Sequence, residues 1–136
     1  MPYFTWSEDL AVGNAFIDSD HRKLIGLIND LHDAIAEGKG EDVLGVTLSN
    51  LIKYAAAHFR REEDEMVRIG YSGAIEHCQE HEKLLREVLS LQQKFNDGNA
   101  MLTVNVSKFM KDWLVDHIMK TDMTFSKAIQ QAAAGR

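Results

Sequence analysis

The chain has 136 residues, 45% of them hydrophobic and 26% charged, with one cysteine and one proline. That size suits a single domain over residues 1–136, the apolar content excludes a disordered chain, and one cysteine excludes an internal disulfide framework. With 15 Lys+Arg against 21 Asp+Glu and a formal net charge of -6, there is no basic excess to hold nucleic acid or an anionic membrane.

Residues 1–18 lack helical period and carry Pro2, Gly13 and the rings of Tyr3, Phe4, Trp6 and Phe16, which predicts an ordered, non-helical arm. MPYFTWSEDL has no basic stretch followed by an apolar one, so no secretory leader and a cytoplasmic location are expected. No apolar run approaches the ~20 residues that cross a bilayer, so no membrane insertion is expected. Asp18 or Ser19 can cap a first helix over about 19–38, with Asp20 favouring its N-terminal dipole. In it Leu24, Ile25, Leu27, Ile28, Leu31 and Ile35 recur at spacings of three and four. A second helix is predicted over 41–69, with Leu44, Val46, Leu48, Leu51, Ile52, Ala55 and Phe59 apolar, and a third over 74–95 through Leu84, Leu85, Val88, Leu89 and Leu91. The NDGN turn at 96–99 precedes a fourth helix near 100–120, and residues 122–136 form a C-terminal helix or tail ending in a fraying QQAAAGR. No window alternates strictly, and short connections favour antiparallel neighbours. The expected fold is therefore all-α, an up-down-up-down four-helix bundle.

The six histidines carry the chemistry. His58 and Glu62 are four apart, as are His77 and His81, so each pair lies on one helix face about one turn apart. In an antiparallel bundle, equal distance from a turn means equal height. The first turn, centred near 39.5, lies 18.5 residues from both His21 and His58. The second, near 71, lies nine from Glu62, six from His77 and ten from His81. The third, near 98, lies 17 from His81 and 19 from His117. Five histidines and Glu62 thus fall in one slab on four helices. A single histidine there is most simply a satisfied core group, but five buried unpaired imidazoles would be costly. A metal satisfies them together. Imidazole and carboxylate donors suit Fe, Zn, Ni or Cu, and this many ligands exceed one tetrahedral zinc and suit two metals. Asp122 lies five residues after His117, about 140° from the same face on an ideal helix. It is therefore either a surface aspartate or a ligand on a distorted helix.

The motifs IDSDH (17–21), HFRREE (58–63), HCQEH (77–81) and WLVDHIMKTD (113–122), in this order, resemble the hemerythrin family, and Trp6 fits as well. Ser72, after Tyr71, departs from the proline that many relatives carry, in a turn and at no ligand. The resemblance implies two non-heme irons that bind dioxygen reversibly. His77, His81 and His117 would hold one iron and His21 and His58 the other, bridged by Glu62, Asp122 and an oxo or hydroxo group. It makes Asp122 a ligand and implies a distorted helix there. By family position Leu24, Phe59, Trp113, Leu114 and Ile118 would line the oxygen side. The implied role is oxygen storage, transport or delivery by a monomer, in transient contact with an oxygen-consuming enzyme and with no catalysis of its own. A sensing module, or a di-iron oxidase acting on ferrous iron or nitric oxide, is the alternative. His32 is expected to sit at a bundle end, Cys78 to be an inert thiol, Glu63 to point away, and Met66, Met101, Met110, Met119 and Met123 to fill gaps in the core.

Overall fold

A computed structural model describes residues 2–134. Helix α1 spans Ala15–Ala36, α2 Glu41–Ile69 and α3 Ala74–Asn96. The fourth rod is α4 (Val104–Asp116), a π-helical segment (His117–Asp122) and α5 (Met123–Ala134) in unbroken succession. The packing neighbours are α1 with α2, α2 with α3, and α1 with α4, an up-down-up-down bundle without strands among the described residues. The core is built from predicted periodic positions, including Leu24, Ile28, Leu31, Leu48, Leu51, Leu84 and Val88, joined by Met110 and by Phe125 of the C-terminal helix.

The ends of the elements follow local chemistry. The α2–α3 turn is closed by Gly70 at φ 64°, where a side chain would clash with the backbone. Its N–H and that of Tyr71 return to the carbonyls of Val67 and Met66, which satisfies the last turn of α2. The start of α1 differs from expectation. The cap is Asn14, whose Oδ1 accepts from the N–H groups of Phe16 and Ile17 at 3.0 and 3.1 Å, so Phe16, Ile17, Asp18 and Ser19 are already helical. Asp18 instead accepts the N–H of Val12 at 2.9 Å. The arm also contains a short 3-10 turn, Glu8–Leu10. The fourth helix starts at Val104, not Ala100, and the tail is helical to Ala134; Gly135 and Arg136 lie outside the described residues.

The arm lies along α1. The Asn29 side chain pairs with both backbone groups of Phe4 at 2.8 and 2.7 Å, and Tyr3 stacks on His32 with centroids 3.8 Å apart. Arg22 lies over Trp6, and Ser126 donates to the carbonyl of Val12 at 2.7 Å, tying the arm to α5. Some apolar positions of the periodic pattern face out: Val46 and Leu89 are exposed. Met66 and Met110 are in the core and Met123 packs against it, but Met101 and Met119 are exposed and fill no gap.

Candidate metal centre

His21 comes from α1, His58 and Glu62 from α2, His77 and His81 from α3, and His117 and Asp122 from the two ends of the π segment. All seven side chains are buried. The π turn resolves the five-residue spacing. Its i,i+5 turn brings His117 and Asp122 onto one face, with His117 Nε2 3.2 Å from Asp122 Oδ1.

The donor atoms form two overlapping groups. Glu62, His77, His81, His117 and Asp122 offer atoms within 4.8 Å of one another, and so do His21, His58, Glu62 and Asp122. Glu62 and Asp122 belong to both. His58 Nε2 lies 2.6 Å from Glu62 Oε1, His21 Nε2 2.9 Å from Asp122 Oδ2, and His77 Nε2 3.0 Å from Asp122 Oδ1. Yet the Nε2 atoms of His21, His58 and His77 and all four carboxylate oxygens of Glu62 and Asp122 are buried without a hydrogen bond of proper geometry. So many orphaned polar atoms aimed into one volume would be costly in an apolar core. Cations placed among them satisfy them together, so the donor set fits a pair of metal ions.

The electrostatics favour neutral rings. Burial, then repulsion from His21, depresses His58 to about 4 against the pull of Asp20. Burial, then His117 and His77, takes His81 to about 2. Both rings therefore keep a lone pair at neutral pH. Burial and the neighbouring Asp122 push Glu62 well above the usual carboxyl range. Burial works to raise Asp122 too, but the His117, His21 and His77 rings set against it hold it well below.

Behind the donors lie groups that spacing did not reveal. Asp20, expected to serve the helix dipole, is buried and accepts from His58 Nδ1 at 2.8 Å, Tyr54 OH at 2.8 Å and Arg61 Nε at 3.0 Å. Glu63, expected to point away, accepts from His81 Nδ1 at 2.9 Å. Thr121 donates to Glu80 at 2.7 Å, tying the π segment to α3. Each acid sits beside a donor in sequence, Asp20 beside His21 and Glu63 beside Glu62, which marks a candidate without saying which ring of another helix it meets. His32 bonds Ser107 Oγ at 2.9 Å, outside both donor groups. Burial raises the Cys78 thiol, as expected of an unreactive one.

Beside the donors, Leu24, Phe59, Trp113 and Leu114 join Ile28, Leu51, Ile52, Ala55, Leu84, Val88 and Met110 around an apolar cavity of about 40 Å³. Phe59 stacks on His81 at 3.8 Å, and Trp113 on His117 at 4.4 Å. Ile118 is fully buried but is not among the residues lining the cavity.

A four-helix bundle with a buried histidine–carboxylate cluster, whose two acids are shared between two donor groups, defines a class of helical bundles with a candidate metal centre. The family model of the Hemerythrin HHE cation binding domain matches residues 12–129, and the chain belongs to the hemerythrin family. It is 35% identical over 130 residues to the bacteriohemerythrin of Methylococcus capsulatus, covering 95% of this chain and 98% of that one. It is 31% identical over 122 residues to a hemerythrin-like protein of Naegleria gruberi, covering 90% of each. The crystal structure of a wild-type hemerythrin superposes with a TM-score of 0.89 at 35% identity, covering 93% of this chain and 97% of that chain. No helix among the described residues is long and apolar enough to cross a membrane.

Proposed function

We propose that this chain binds dioxygen reversibly at a pair of irons. His77, His81 and His117 would hold one iron, His21 and His58 the other, and Glu62 and Asp122 would bridge them. The observation that carries this reading is the sharing of Glu62 and Asp122 between two buried donor groups of unequal size. Three histidines plus two bridges come close to saturating one ion, while two histidines plus the same bridges leave room at the other. When bound, a ferrous pair supplies the electrons with which dioxygen is held. The chain's own part is to keep the imidazoles neutral, fix the two carboxylates between the ions and exclude water. The apolar cavity beside Phe59 and Trp113 supports a carrier, because such a wall excludes water and offers no acid to protonate what is bound. Storage, transport or delivery to an oxygen-consuming enzyme follows from reversible binding; an oxidase acting on ferrous iron or nitric oxide is the alternative, which catalytic turnover of either would reveal.

The test is loading with ferrous iron without oxygen, metal analysis, and cycles of oxygenation and degassing followed by visible absorption. The expected result is two irons per chain and a band that comes and goes with oxygen. His58→Ala and His77→Ala should each lower iron content and thermal stability together, since metal binding is linked to folding. One iron or none in loaded wild-type protein, or a band that bleaches after a single cycle, would overturn the reading.

A further inference from the structure

We infer that Asp20 is a positioning residue for the metal centre, a carboxylate on α1 that fixes the His58 ring of α2 in the tautomer able to bind metal. The inference rests on the iron-binding reading above. Asp20 Oδ2 faces His58 Nδ1 at 2.8 Å and receives Arg61 through Nε and Nη2, both at 3.0 Å. Oδ1 receives the Tyr54 hydroxyl at 2.8 Å. Arginine has only donors to offer. The oxygen it shares with His58 is therefore an acceptor, and the ring proton must sit on His58 Nδ1. That leaves the Nε2 lone pair directed at the cluster, where Nε2 lies 2.6 Å from Glu62 Oε1 without a hydrogen bond between them.

Asp20 is adjacent to His21 in sequence. One dipeptide of α1 thus supplies one donor of the smaller group directly and governs the other through its side chain. The buried His21 and His77 rings have no hydrogen-bond partner at Nδ1, so this control is not general to the site. His81 has its own carboxylate, Glu63, at 2.9 Å. The two donor groups therefore each contain one ring held by a carboxylate, and Asp20 serves the smaller one. Arg61 offsets the buried charge, and its guanidinium lies 5.4 Å from the Tyr54 ring, completing a closed set of partners.

The experiment uses the full metal-free chain and its iron-loaded form. Ring ¹⁵N shifts in the metal-free protein should show His58 as the Nδ1–H tautomer. Asp20→Ala should lose that preference, and Asp20→Asn should keep it, because an amide oxygen can still face His58 and Arg61 while the amide nitrogen turns to the Tyr54 oxygen. In anaerobic chelator competition, Asp20→Ala should weaken one of the two irons by about 10–100-fold and leave the other unchanged, a typical loss on removing such a partner. His58 found as the Nε2–H tautomer in the wild type would overturn the inference even if Asp20→Ala fails to fold. An unchanged tautomer in a folded Asp20→Ala, or equal weakening of both irons, would overturn it as well. Wild-type protein that takes up no iron would instead refute the proposed function, and the tautomer measurement would still decide the role of Asp20.

Discussion

Leu114 shows what one side chain contributes beyond its burial. It is 4% exposed, lines the 40 Å³ cavity with Phe59 and Trp113, and precedes His117 by three residues. Replacing it by alanine enlarges that cavity, which in a core costs about 2–5 kcal/mol. The cavity already exceeds the ~10–15 Å³ that a water needs, so its apolar lining is what keeps it dry, and removing the Leu114 side chain opens it towards a cluster rich in polar partners. We expect Leu114→Ala to keep both irons while its oxygenated form decays to the inactive oxidised state faster than wild type, measured as the loss of the oxygenated band after stopped-flow mixing. An equal decay rate at normal iron content would mean that Leu114 does not guard the site. At this scale the sequence was informative about donors and poor about their supports. The i,i+4 pairs His58/Glu62 and His77/His81 follow from helix geometry alone. The bonds from Asp20 to His58 and from Glu63 to His81 depend on which neighbouring helix each acid meets, and spacing within one helix does not contain that.

Helix α1 shows how local chemistry sets an element's limits. Asp18 and Ser19 are good caps by residue type, yet Asn14 does the capping, because the arm places it where its Oδ1 meets two free N–H groups. Losing such a cap costs about 0.5–2 kcal/mol. Asn14→Ala should lower stability to chemical denaturation by about 1 kcal/mol with iron content unchanged. A loss of iron would show that the start of α1 also sets the height of His21. The four rods themselves were legible, because apolar positions at spacings of three and four and the glycine breaks were both strong. The π segment was legible only as a conflict. The spacing of His117 and Asp122 required either a distortion or a surface aspartate, and nothing in IMKT specifies a π turn. The distortion is set by tertiary demands: Asp122 meets His21 and His77 from other helices, and Thr121 is held by Glu80 of α3.

Across the whole molecule, the proposed site would make folding depend on both protons and metal. Buried His58 and His81 are depressed to about 4 and about 2, whereas in the unfolded chain they titrate near 6.5. Below pH 6.5 the unfolded chain takes up protons that the folded chain refuses, so stability from these rings is complete above 6.5 and is lost as the pH falls. Each ring contributes a slope of about 1.4 kcal/mol per pH unit. Glu62 acts in the opposite sense. Its raised pKa lets the folded chain hold a proton that the unfolded chain has released, which favours folding as the pH falls towards its ordinary 4.5. Two rings outweigh one acid, so stability still falls as the pH drops below 6.5. Bound metal adds to this by mass action, about 2.7 kcal/mol at a free concentration one hundred times Kd, and only while the rings remain unprotonated. Thermal melts of chelated and iron-loaded protein from pH 7.5 to 5 should therefore show two effects. The melting temperature of the chelated protein should fall below pH 6.5, and the gap between the two forms should narrow because metal must displace the proton that Glu62 holds in the chelated protein. A chelated protein whose melting temperature is flat over that range would show that its buried histidines are already paired without metal. A constant gap would show that the ion displaces no proton from Glu62 when it binds.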